Sequence, residues 1–184
     1  DKIITELQGA NRIQFIEAKG ISRSLTDFPS GAIGGYRVTT ADGKVYHYSL
    51  PVYQREMFSR AITLDKDENN EFYEESQFEP YATHWLLTGI TGPDYIDINN
   101  NGVLDSSDYG YWVEFEYGKW SDGFSWKTPV SGYEENMFVK QYSWGVKDVY
   151  YLDRIKTRTH TALFIKESRN DLLSSTKEIS DGAN

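Results

Sequence analysis

Period-two alternation of apolar and polar side chains constrains this chain more than any other feature, because only an extended backbone turns such a pattern into two distinct faces. Across residues 44–50, Tyr46, Tyr48 and Leu50 point one way, Val45, His47 and Ser49 the other, and Pro51 is read as closing the strand. Residues 36–40 form a second such run, joined to the first by Ala41-Asp42-Gly43. A Gly after Asp in so short a connection supplies the positive φ that a hairpin needs. Residues 109–117 alternate as cleanly: Tyr111, Val113, Phe115 and Tyr117 oppose Trp112, Glu114 and Glu116. Residues 149–157 and 160–166 predict another hairpin. Of the remaining segments, residues 53–61 read as a short helix and the acidic residues 65–77 as a solvated loop. Residues 120–141, rich in Gly, Ser, Tyr and Trp, read as a long connection, and the polar residues 168–184 as a frayed tail. No tandem repeat or low-complexity run is visible.

Composition agrees with strands. The 14 Tyr, 9 Phe and 5 Trp place much of the buriable apolar surface on rings, which favour sheets. A chain of 184 residues can build one sizeable core without a second domain. The expected fold is therefore mainly β, with antiparallel hairpins forming an extended sheet or sandwich and one or two short helices. It spans residues 1–184 as a single domain or as a fragment of a larger repeat protein. A formal charge of −9 opposes binding to nucleic acid or anionic lipid. No run approaches the roughly 18 apolar residues of a membrane span. With no cysteine, a disulfide framework, a thiolate metal site and a Cys nucleophile are excluded. The first residues, Asp1-Lys2-Ile3-Ile4, are neither an initiator Met nor a signal peptide, so the chain reads as an excised or processed piece.

The strongest chemistry lies in residues 97–108, inside an insertion over 91–110. Asp97, Asn99, Asn101, Asp105 and Asp108 occupy positions 1, 3, 5, 9 and 12 of an EF-hand-type loop, with Gly102 at position 6, where the chain must turn sharply. Ca²⁺ is a hard cation that takes six to eight oxygens. Asp97, Asn99 and Asn101 would wrap one side, the Val103 carbonyl would add a main-chain ligand, and Asp105 would bind directly or through water. Asp108 would close the shell with both oxygens, while Leu104 anchors the loop in the core. Asp at the last position resembles the calcium loops of dockerin modules and implies an affinity of about 10⁻⁴ M or somewhat tighter. The plainer alternative is a polar turn of residues that tolerate left-handed backbone. A second acidic run, residues 65–70, lacks the Gly and the closing acid. One loop without a partner hand makes a structural clip, not a helix-opening sensor.

Other constellations carry less. His47, His84 and His160 lie on separate segments without metal-ligand spacing, and no nucleophile elbow, P-loop or dinucleotide motif is present. Paired carboxylates can perform glycoside hydrolysis, and Glu114 and Glu116 are adjacent on one strand face, but they read instead as the outward polar face of a half-buried strand. Trp120, Trp126, Tyr133, Tyr142 and Trp144 form a candidate stacking platform for sugar rings, although aromatic residues in a β domain are more commonly core.

Three blocks carry a family resemblance. They are Tyr36-Arg37-Val38-Thr39-Thr40-Ala41-Asp42-Gly43-Lys44-Val45-Tyr46-His47-Tyr48, then Trp85-Leu86-Leu87-Thr88-Gly89-Ile90 with residues 111–117, then Tyr151-Leu152-Asp153-Arg154-Ile155. In this order they resemble the rearrangement-hot-spot, or YD-repeat, shell proteins and the B-component of toxin complexes. Where that family makes a tight turn, this chain carries Gly92-Pro93-Asp94 and the calcium loop. This variant is similar to large surface proteins of Bacteroidetes-type bacteria. The resemblance implies an extended β layer in a shell or scaffold exported to the cell surface, with the rest of its own larger polypeptide as partner and no catalytic residue. The expected function is a non-catalytic, calcium-stabilised β module for scaffolding or adhesion. A carbohydrate-binding module using the aromatic platform is the alternative, and a hydrolase fragment comes third; glycan or a surface protein is the further partner expected.

Overall fold

A computed structural model of the chain describes residues 3–8, 32–63, 73–128, 132–134 and 139–167. These residues form strands and no helix: β1 (Ile3–Gln8), β2 (Ile33–Thr39), β3 (Val45–Thr63), β4 (Tyr73–Phe78), β5 (Tyr81–Thr91), β6 (Trp112–Lys127), β7 (Gly132–Glu134), β8 (Val139–Thr157) and β9 (Thr161–Leu163). The registered pairings are antiparallel, so the mainly β expectation holds. The described residues group into two compact units. The first uses described residues of Asp1–Val52, Ala82–Trp120 and Tyr150–Glu167, the second those of Tyr53–Tyr81 and Ser121–Val149.

In the first unit the expected hairpin forms between β2 and β3, in register from Tyr36↔Tyr48 to Thr39↔Val45. Gly43 turns it at φ 81°, donating its N–H to the Thr40 carbonyl at 2.9 Å. The chain then orders β3, β5, β6 and β8 side by side, with β9 folding back onto β8 from Lys156↔Thr161 to Arg154↔Leu163. That return is the second expected hairpin. Leu50, Val52, Leu104 and Trp112 are buried, but so are His47, Ser49, Thr88, Thr91, Asp108 and Glu114. Buried polar groups cost stability unless they are satisfied, and among the described residues His47 Nδ1 and Ser49 Oγ have no hydrogen-bond partner. Thr88 Oγ1 donates to the His47 carbonyl at 3.0 Å, and the His47 Nε2 lies 3.0 Å from Thr91 Oγ1.

Burial, reinforced by the nearby Arg37 charge, pushes the His47 imidazole down from 6.5 to about 4. The unfolded chain therefore takes up a proton that the folded one refuses, so stability is complete above pH 6.5 and falls as the pH drops toward 4. We expect His47 to cost about 2 kcal/mol between pH 8 and pH 5. Urea unfolding of the wild type and His47→Gln at both pH values reads this directly. A stability difference between the two proteins that stays constant with pH would exclude His47 as the titrating group.

In the second unit β3 pairs with β8 directly, from Gln54↔Lys147 to Thr63↔Val139, and β4 flanks the other edge of β3 from Met57↔Phe78 to Ile62↔Tyr73. This arrangement corrects several expectations. Residues 53–61 are strand, not helix: their Gln, Arg, Glu and Met favour a helix locally, but ladders on both edges satisfy the extended backbone. Pro51 does not end β3; it lies beyond Tyr48, the last registered partner from β2, where its missing N–H breaks none of those bonds. Residues 73–78, expected in a solvated loop, form β4, and residues 120–127, expected in a connection, belong to β6. The acidic run 65–70 and the tail 168–184 lie outside the described residues.

On β6 the faces are reversed. Trp112 and Glu114 are 1% and 3% exposed, so the face read as outward is the buried one. Alternation reveals that a strand has two faces without saying which meets the core. The carboxylates are answered from β8: Arg154 Nε stands 3.0 Å from Glu116 and Lys156 Nζ 4.0 Å from Glu114. Glu114 and Glu116 are thus held in ion pairs across neighbouring strands.

Candidate metal-binding loop

Beyond β5 the chain turns through Gly92-Pro93-Asp94, where the Tyr95 N–H donates to the Gly92 carbonyl at 3.2 Å and the Tyr111 N–H to Asp94 Oδ1 at 3.1 Å. Gly110 closes the far side at φ 83°, and a Cβ there would come within 2.2 Å of the Asp94 carbonyl oxygen, so no other residue fits. Between these turns Ile96 and Tyr109 exchange main-chain hydrogen bonds of 3.1 and 3.0 Å. This isolated bridge shuts residues 97–108 into a closed loop.

Inside the loop, side-chain oxygens fold the backbone. Asp97 accepts from the Gly102 N–H at 2.9 Å and the Asn101 N–H at 3.3 Å. Asn99 Oδ1 accepts from the Asn101 N–H at 3.2 Å, Asn101 Oδ1 from the Val103 N–H at 2.8 Å, and Asp105 Oδ1 from the Ser107 N–H at 2.7 Å. Asn100 and Gly102 take the left-handed region at φ 53° and 70°, which lets the chain reverse. The amides of Asn99 and Asn101 both reach Asp105 Oδ2, at 3.0 and 3.1 Å, drawing the two arms together. Hydrogen bonds from Ser107, Asn99 and Asn101 hold the Asp105 carboxyl well below the usual carboxylate range.

Two residues root the loop. Leu104 is fully buried and packs with Trp112 and Tyr95. Asp108 is 1% exposed, and its Oδ2 accepts from the Tyr95 hydroxyl and from the Asp105 N–H, both at 3.0 Å. Its Oδ1 is equally buried and has no hydrogen-bond partner. An orphaned carboxylate oxygen in the interior costs stability unless something positive meets it.

Among the described residues, no three His, Asp or Glu side chains converge closely enough to hold a metal alone. A cation here would need the Asn99 and Asn101 amide oxygens and a main-chain carbonyl as well. The donors present are all oxygen, which suits a hard cation and not a soft one. Asp97, Asn99, Asn101, Val103, Asp105 and Asp108, the residues named from spacing, are linked by hydrogen bonds within one loop. Spacing did not single out Tyr95, which lies two residues ahead of the loop and contacts Asp108.

No protein-family model, curated protein or solved structure matches the chain.

The candidate sugar platform is dispersed. Trp120, 63% exposed in the first unit, stands edge-on to Tyr151 with centroids 5.7 Å apart. In the second unit Trp144 stacks on Phe58 at 5.5 Å, with Arg60 at 5.3 Å from its centroid, whereas Trp126 lies under Lys147 at 5.9 Å. Trp126 and Trp144 thus have different neighbours. Tyr133 and Tyr142 contribute backbone to β7 and β8; their side chains lie outside the described residues. His84 and His160 are exposed beside Thr83 and Thr159.

Proposed function

We propose that residues 97–108 bind one Ca²⁺ and that the chain is a non-catalytic, calcium-stabilised β module of a larger exported surface protein, serving scaffolding or adhesion. The observation that carries the calcium reading is Asp108 Oδ1, buried and without a partner at the last ligand position of a loop closed by the Ile96–Tyr109 bridge. A divalent cation would answer that oxygen and the charges of Asp97 and Asp105 together. Residues 97–108 would supply oxygens from Asp97, Asn99, Asn101, Asp105 and Asp108 and the Val103 carbonyl, and the ion would tie the two arms of the loop without doing chemistry. The scaffold reading draws on the YD-repeat resemblance of the strands that flank the insertion. A sugar-binding reading has less behind it, since Trp144 and Trp126 are each engaged by other side chains.

The test is thermal unfolding in EGTA and in 10 mM Ca²⁺. With a dissociation constant near 10⁻⁴ M, binding adds about 2.7 kcal/mol, or roughly 5–10 °C in Tm. Asp97→Ala and Asp108→Ala should lose that gain. Identical melting curves in EGTA and Ca²⁺ would sink the proposal.

A further inference from the structure

Asp108 does not stand in the loop as a free carboxylate. The Tyr95 hydroxyl and the Asp105 N–H, each at 3.0 Å, both claim Oδ2 and leave Oδ1 alone. Tyr95 lies outside the twelve ligand positions, yet it packs on Leu104 and Trp112, so its ring is held by the same cluster that roots the loop. A phenol keeps its proton at neutral pH, so the hydroxyl is the donor and the carboxylate the acceptor.

We infer that Tyr95 is the positioning residue of the loop: by holding Asp108 Oδ2 it makes Asp108 a one-oxygen ligand through Oδ1 and fixes where that oxygen meets the cation. This rests on the calcium reading above and departs from the two-oxygen closure that the spacing suggested. The shell then holds roughly six oxygens, the lower end of what Ca²⁺ takes. Residues that orient a ligand from behind set metal affinity by about 10–100-fold when removed.

The experiment is calorimetric titration of the full chain with CaCl₂, beside tyrosine difference absorbance, for wild type, Tyr95→Phe, Tyr151→Phe and Asp108→Asn. Tyr95→Phe keeps the ring packing and loses the hydroxyl, and it should weaken Ca²⁺ binding by about tenfold or more. It should also abolish the absorbance change that Ca²⁺ produces in the wild type. Tyr151, 46% exposed on β8, is the control whose substitution leaves both readings intact. Asp108→Asn should fold, because its amide oxygen still accepts from Tyr95 and Asp105 while its NH₂ replaces the free oxygen; its binding heat should vanish. Folded Tyr95→Phe binding within twofold of wild type overturns the role of Tyr95. Should Tyr95→Phe fail to fold, retained binding in Asp108→Asn overturns the assignment of Oδ1. A wild type that gives no binding heat overturns the calcium reading itself, which separates the two failures.

Discussion

Leu104→Ala destabilises the protein by about 3 kcal/mol, within the roughly 2–5 kcal/mol typical of a leucine truncated in a close-packed core. Leu104 is fully buried and shares its cluster with Trp112 and the partly buried Tyr95, so the lost methyl groups leave a cavity that two rigid rings cannot collapse into. The cost has a second part. Leu104 sits between Val103 and Asp105, so an unanchored loop also releases two of the proposed ligands. Ca²⁺ binding should weaken in the same variant, whereas Leu104→Met, which conserves volume, should cost under about 1.5 kcal/mol. Urea unfolding followed by tryptophan fluorescence measures both. A loss for Leu104→Ala no larger than that for Leu104→Met would mean that the side chain is not a core anchor.

Arg55→Met costs about 3–5 kcal/mol, the range for stripping one partner from a buried ion pair. Arg55 grips Asp148 with two bonds of 2.9 Å, from Nε to Oδ1 and from Nη2 to Oδ2, and the Asp148 side chain is 1% exposed. Without the guanidinium that carboxylate stays buried with its main charge partner gone. Arg55 also lies 5.3 Å from the Tyr53 ring centroid, adding a stacking contact that Met replaces in part. The double variant Arg55→Met/Asp148→Leu should recover most of the loss, because an apolar pair of similar volume removes the stranded charge. Equilibrium unfolding of the three proteins gives the coupling energy. If the single substitution costs less than about 1 kcal/mol, the value of an exposed pair, the pair is solvated and the argument fails.

The resolved pattern shows which parts of this molecule are written locally. The β2–β3 hairpin was legible because Asp42-Gly43 needs a left-handed turn and the flanking residues alternate, and the β8–β9 hairpin because two strand-like runs are separated by a short connection. Residues 97–108 were legible as a loop for the same kind of reason: Gly102 takes φ 70°, and the short Asp and Asn side chains accept hydrogen bonds from backbone a few residues ahead. Residues 53–61 misled because their composition is helical while their partners lie far along the chain; Arg60, for example, pairs with Glu75 on one edge and Tyr142 on the other. No local pattern reports partners that distant.

What the sequence determined by itself is therefore conformation within a few residues: where the backbone is extended, where it turns, and where oxygen-bearing side chains cluster. Tertiary structure alone decided the rest. It selected the Trp112 and Glu114 face of β6 for burial, carried β3 through Pro51, and pressed Tyr95 against Asp108 so that one carboxylate oxygen is held and the other left open. The reason is physical: period and turn chemistry are properties of neighbouring residues, whereas burial and strand partnership depend on which distant surfaces meet.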